Sequence, residues 1–125
     1  MCGRVIVKWD EMIPAATDSE LAEWVLGVPE GAVSSWNVKP TQQIPVALTS
    51  AKDGQKRLET AYWSLVPPWA KELKLKYPTF NARSEGLSEK ATFKGPLKKQ
   101  RCVIPVTGFY EWTGPKDKRI PHAIF

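Results

Sequence analysis

Apolar runs in this chain are short and change period repeatedly, which predicts many brief elements rather than a helical bundle. Val5-Ile6-Val7 is β-branched throughout and predicts a strand that carries the N-terminus into the core. Thr17-Asp18-Ser19-Glu20 has capping-box spacing, and Leu21, Trp24, Val25 and Val28 behind it share one helical face. A helix is expected there, ended by Gly27 and Pro29. Residues 44–48 read as a strand, Asp53-Gly54 as a hairpin turn, and residues 58–63 as the returning strand. Pro67-Pro68 breaks that pattern and leaves residues 63–69 as a rigid loop holding two indoles. Residues 70–77 read as a short basic helix or an ordered loop. Residues 102–106 predict a buried strand and 109–113 another, and a turn at 116–119 leads into a final strand at 122–125. That last strand ends in apolar residues with nothing after it to cover its edge, so the sequence reads as though cut inside a larger fold.

Length and composition narrow the class. A chain of 125 residues makes one domain at most, and 11 Pro with 8 Gly demand frequent turns. No apolar run approaches a membrane span, and residues 1–20 lack the basic-then-apolar order of a signal peptide. A soluble, cytoplasmic protein is expected. The two cysteines, Cys2 and Cys102, have neither disulfide-framework nor metal-site spacing, so no metal and no cofactor is expected. Charge is uneven: residues 1–66 hold six basic and eight acidic side chains, whereas residues 67–125 hold twelve and five. The second half therefore suits an anionic partner, with nucleic acid the first candidate, or else presents a solvated basic face.

Chemistry concentrates at a few positions. Removal of Met1 would expose Cys2 as an aminothiol, whose α-amine (pKa about 7.7–8.0) and thiol (about 8.5) are both partly reactive near neutrality. An aldehyde meeting such a group forms an imine, and the thiol closes onto the imine carbon to give a thiazolidine. Alternatively, Cys2 simply opens a strand as a small apolar residue. Glu111, set among Phe109, Tyr110 and Trp112, suits proton transfer if partly desolvated, or else pairs with a lysine. Arg83 suits a phosphate or a bridge to Glu85, and Asn81 two residues earlier suits orienting an amine or sugar oxygen, or capping a turn. His122, the only histidine, lies in a run of apolar residues and reads as structural.

Met1-Cys2-Gly3-Arg4, Asn37…Pro40, residues 63–69, Asn81-Ala82-Arg83, Phe93…Pro96-Leu97 and residues 108–112 follow in an order that resembles the SRAP family, the SOS response-associated peptidases or abasic-site processing proteins. The resemblance covers the whole chain as a single domain, the N-terminal part of the family fold. It implies an α+β fold with a barrel-like, mainly antiparallel β core and a few peripheral helices. It also implies covalent capture of abasic sites in single-stranded DNA, with Cys2 as nucleophile, Asn81 positioning the N-terminus or opened sugar, and Glu111 shuttling protons. Arg4, Arg83, Trp63, Trp69, Asn37 and Pro40 would form the DNA-binding surface. Self-cleavage at Met1 and a lyase-type activity come with the resemblance. Nothing here matches the family's His-x-Arg-x-Pro segment, and His122 is not given that role. A dimer partner or a missing C-terminal half is expected to cover the open edge. The alternative is a non-covalent single-stranded-DNA binder with impaired chemistry. A cysteine peptidase acting on other proteins would need a base beside the thiol, and only His122 is at hand.

Overall fold

The computed structural model describes residues 3–17, 19–20, 22–24 and 27–125. β1 (Val5–Val7) lies between β2 (Ser35–Val38) and β5 (Gly108–Thr113), with β6 (Ile120–Ile124) beyond β5 at the sheet edge. Every pairing in this sheet is antiparallel. β3 (Gln43–Thr49) and β4 (Lys56–Tyr62) form a second, two-stranded sheet in continuous register from Gln43↔Tyr62 to Thr49↔Lys56. The fold is α+β and mainly antiparallel, as expected, but the described strands form two sheets and no closed barrel. Closure fails because the free edge of β3 meets only one isolated bridge, Ala47↔Val103.

The core lies where the two sheets meet. Val5 and Val7, two apart on β1, face the same way and pack with Val38, Ile44, Val46, Trp9 and Trp63. Ile6 points to the opposite face and is also fully buried, so β1 is covered on both sides. A three-residue strand with no polar position is what such a central site requires.

α1 (Trp9–Thr17) begins immediately after β1, eight residues before the helix anticipated at the Thr17–Glu20 capping box. Asp10 and Glu11 in its first turn suit the positive end of the helix dipole. The N–H groups of Lys8 and Trp9, which have no intrahelical acceptor, donate to Thr107 Oγ1 at 2.9 Å and Ser34 Oγ at 3.2 Å. Both acceptors are distant in sequence, so a search for local caps misses this helix start. In the anticipated helix, residues 19–20 and 22–24 form bends and turns, and Val28 is exposed rather than core-facing. Leu21 and Val25 lie outside the described residues.

α2 (Ala91–Lys99) has no counterpart among the expected elements, and it contains Gly95 and Pro96, both poor helix formers. Pro96 forgoes one amide, and its carbonyl accepts the N–H of Gln100 at 2.8 Å at the C-cap. Residues 70–77 take the loop alternative. The expected buried strand at 102–106 is a correction: residues 102–104 are exposed, and only Val103 pairs, through N–H···O bonds of 2.7 and 2.9 Å with Ala47. No helix among the described residues is long and apolar enough to cross a membrane.

Candidate functional site

Three strands converge at the N-terminal end of β1. The Arg4 carbonyl accepts the Tyr110 N–H of β5 at 3.0 Å, and Arg4 Nη1 donates to Asn37 Oδ1 of β2 at 2.8 Å. The Tyr110 hydroxyl reaches back to the Trp36 carbonyl at 2.9 Å, tying β5 to β2 across the end of β1. Val5 pairs with Phe109 and Ile6 with Gly108; extending that register sets Glu111 level with Gly3. Glu111 is half-buried, and its Cα lies opposite His122 of β6. Directly opposed residues on an antiparallel pair present their side chains to the same face. His122 Nε2 in turn shares a 2.8 Å hydrogen bond with Thr113 Oγ1.

Asn81 arrives from a different part of the chain. It lines a cavity of about 340 Å³ together with Val5, Phe109, Trp63, Phe80 and Ile104. Two of those walls, Val5 and Phe109, are the strand pair that adjoins Arg4 and Tyr110. Asn81 therefore shares a cavity with the Val5–Phe109 pair, which Glu111 follows by two residues on β5, although Asn81 and Glu111 are 30 positions apart in sequence. Thr79 anchors the Asn81 segment: its hydroxyl donates to the Leu65 carbonyl at 2.7 Å and lies 2.8 Å from Ser64 Oγ. The loop after β4 is held from its other side too. Trp63 N–H donates to the Gln42 carbonyl at 2.9 Å, and Thr41 N–H to the Trp63 carbonyl at 3.0 Å. Thr41 adopts φ 74° to make that contact, so the turn after half-buried Pro40 is locked onto the Trp63 loop.

The two indoles of that loop separate. Trp63 is only 9% exposed and packs in the core, so it has no free face to offer a base; its part is the cavity wall, a correction to its expected place on a DNA-facing surface. Trp69 is 62% exposed. Arg83 is exposed and, among the described residues, forms no ion pair with Glu85 or any other acid. Cys2 lies outside the described residues. The positioning roles of Thr79, Ser64 and Tyr110 had no sequence signal, because each hydroxyl bonds a group at least 14 residues away. No group of three or more His, Cys, Asp or Glu among the described residues is placed to hold a metal ion.

Residues 1–125 match the family described as SOS response associated peptidase (SRAP). The abasic site processing protein YoqW of Bacillus subtilis is 42% identical over 130 aligned residues, covering 99% of this chain and 54% of that protein. The abasic site processing protein HMCES of Xenopus tropicalis is 33% identical over 143 residues, covering all of this chain and 43% of its own length. The chain thus spans about half the length of these relatives. The crystal structure of a Bordetella bronchiseptica protein superposes with a TM-score of 0.72 at 23% identity, over 98% of this chain and 56% of that one, a likeness of fold.

Proposed function

This chain belongs to the SOS response associated peptidase family, and on that premise we propose that it captures abasic sites in single-stranded DNA covalently through Cys2 once Met1 has been removed. The observation that carries the reading is the strand register that sets Glu111 level with Gly3, one residue from Cys2 and two residues along from the Val5–Phe109 pair whose cavity Asn81 lines. A ring-opened abasic sugar presents an aldehyde. The Cys2 amine adds to it and water leaves, giving an imine; the thiol sulfur then attacks the imine carbon and its proton passes to the nitrogen. Glu111, half-buried and level with Gly3, is the group that carries those protons. Asn81 orients the amine or the opened sugar, and exposed Arg83 takes a flanking phosphate. Arg4 and Asn37, joined to each other, and the turn at Pro40 form the near wall of the DNA path. Exposed Trp69 supplies a stacking surface worth about 1–3 kcal/mol per base.

Met1 removal on this reading is a single self-cleavage, hydrolysis of the Met1–Cys2 peptide bond, and a lyase-type reaction would follow from the same imine. On this reading the protein works inside the cell, on DNA. The named activity of YoqW and HMCES as abasic site processing proteins supports this assignment. The test mixes purified protein with single-stranded DNA carrying one abasic site, resolved on a denaturing gel beside intact-mass measurement. A slow band is expected whose mass is that of protein without Met1 plus DNA minus one water, and Cys2→Ala abolishes it. An adduct that persists in Cys2→Ala protein refutes the reading. Salt-sensitive binding without any adduct, from protein shown to lack Met1, assigns the chain to non-covalent strand binding instead.

A further inference from the structure

Lys90, Lys94 and Lys98 recur at every fourth residue from the N-cap of α2 through its last turn, which sets them on one face at intervals of about 6 Å along the axis. All three are exposed, and among the described residues none pairs with a carboxylate. The helix contains no acidic residue at all. A solvated helix face usually interleaves the two signs at i,i+4 spacing; this one does not. Phe93, Pro96 and Leu97 line a hollow of about 260 Å³ together with Leu65, Leu87 and Cys102, which sets α2 beside the loop that presents Trp69. Arg83 precedes α2, and Lys99 and Arg101 extend its basic end; Glu85 and Glu89 are the only acids between residues 83 and 101.

We propose that α2 is a phosphate track for single-stranded DNA flanking the lesion, with Lys90, Lys94 and Lys98 each opposite a successive backbone phosphate. This rests on the reading of the site as an abasic-site trap, which supplies the strand; the track itself requires only unbroken backbone. The spacing of the ammonium groups is one that neighbouring phosphates of an extended strand can follow. Lysine suits the task because a compact point charge attracts phosphate without reading sequence. Arg83, two residues from Asn81 in the cavity wall, joins the track to the site.

The experiment measures non-covalent binding of a fluorescein-labelled, lesion-free single strand of about 20 nucleotides, longer than a typical single-strand site, by anisotropy between about 50 and 200 mM salt. In the Lys90→Gln/Lys94→Gln/Lys98→Gln variant, the slope of log affinity against log salt should become shallower by about 2, since each single-strand phosphate contact contributes roughly 0.7. A control variant, Lys116→Gln/Lys118→Gln/Arg119→Gln, removes the same formal charge from the β5–β6 turn and should leave the slope unchanged. Equal shallowing in both variants would show a response to net charge alone and overturn the track, as would an unchanged slope in the α2 variant. A second arm gives both proteins an abasic trinucleotide too short to reach α2, and equal covalent capture is expected. Failure of the unsubstituted protein to capture it refutes the trap while leaving the slope result to decide the track.

Discussion

Glu111 stands one residue beyond the Tyr110 N–H that binds the Arg4 carbonyl, with its Cα opposite His122. Its position follows from strand register alone, because each step along an antiparallel pair moves a residue by a fixed distance and alternates its face. The shuttle role makes a specific claim. Glu111→Gln keeps the shape and loses the titrating oxygen, so single-turnover capture should slow by a factor on the order of 10²–10⁴, read as adduct formed against time on denaturing gels. Affinity for a lesion-free strand should not fall, because no phosphate contact has been removed. Capture by Glu111→Gln at the unsubstituted rate would end the assignment. The residue scale is also where sequence was least able to discriminate between like side chains. Trp63 and Trp69 occur in one short segment, yet the first is a core residue and the second a surface one. Nothing local distinguishes them; the backbone bonds of Trp63 with Gln42 and Thr41 turn the first indole inward.

At the scale of elements, the β3–β4 hairpin was legible and its turn shows why. Gly54 adopts φ 69°, which costs a residue with Cβ roughly 1–2 kcal/mol. Asp53 accepts the Gln55 N–H at 3.1 Å. That bond, with further help from the Ser50 hydroxyl and the nearby Arg57 guanidinium, holds the Asp53 carboxyl below its ordinary range. A carboxyl depressed in the folded state adds stability above its unfolded pKa, near 4, and that contribution is lost as pH falls through the lower folded value. Thermal melts of the unsubstituted protein and Asp53→Asn should therefore differ most above pH 4 and draw together as pH falls below it. A gap that stays constant with pH would remove the carboxylate from the account of the turn. α1 teaches the opposite lesson. The amides of Lys8 and Trp9 at its start are met by Thr107 and Ser34, residues that only the folded chain brings near, while the local capping box at Thr17–Glu20 starts no helix in the residues described after it.

Across the whole molecule, burial is concentrated where the sheets meet, and the periphery is open. All five residues of β6 are exposed, and Ile120, Ile124 and Phe125 form an apolar margin on that edge. An unpaired apolar edge strand is a template for pairing with another chain. This chain on its own should therefore self-associate, its sedimentation coefficient rising with concentration, and Ile120→Lys should return it toward monomer. A concentration-independent monomer would show that the margin is tolerated unpaired; Pro121, which lacks an N–H on this strand, would then be the reason. The charge asymmetry seen in composition acquires a place at this scale as well. α2 carries an unbroken basic face, whereas three of the six basic residues of the first half, Lys8, Lys56 and Arg57, are paired with Asp10, Glu23, Asp53 and Glu59.

The sequence by itself determined the features that depend on neighbours along the chain. These are the β-branched run that becomes β1, the hairpin with its glycine turn, β5 with its aromatic-flanked glutamate, the excess of basic residues in the second half, and the ordered motifs that identify the family. Tertiary structure decided which distant groups meet. It placed α1 through caps from other segments, buried one tryptophan and exposed the other, joined Arg4 to Asn37, set His122 across from Glu111, and brought Asn81 to the strand pair beside them. The physical reason is the same in each case. Propensity and turn chemistry act over a few residues, whereas burial and hydrogen-bond partners at long separation exist only once strand order and register have been chosen.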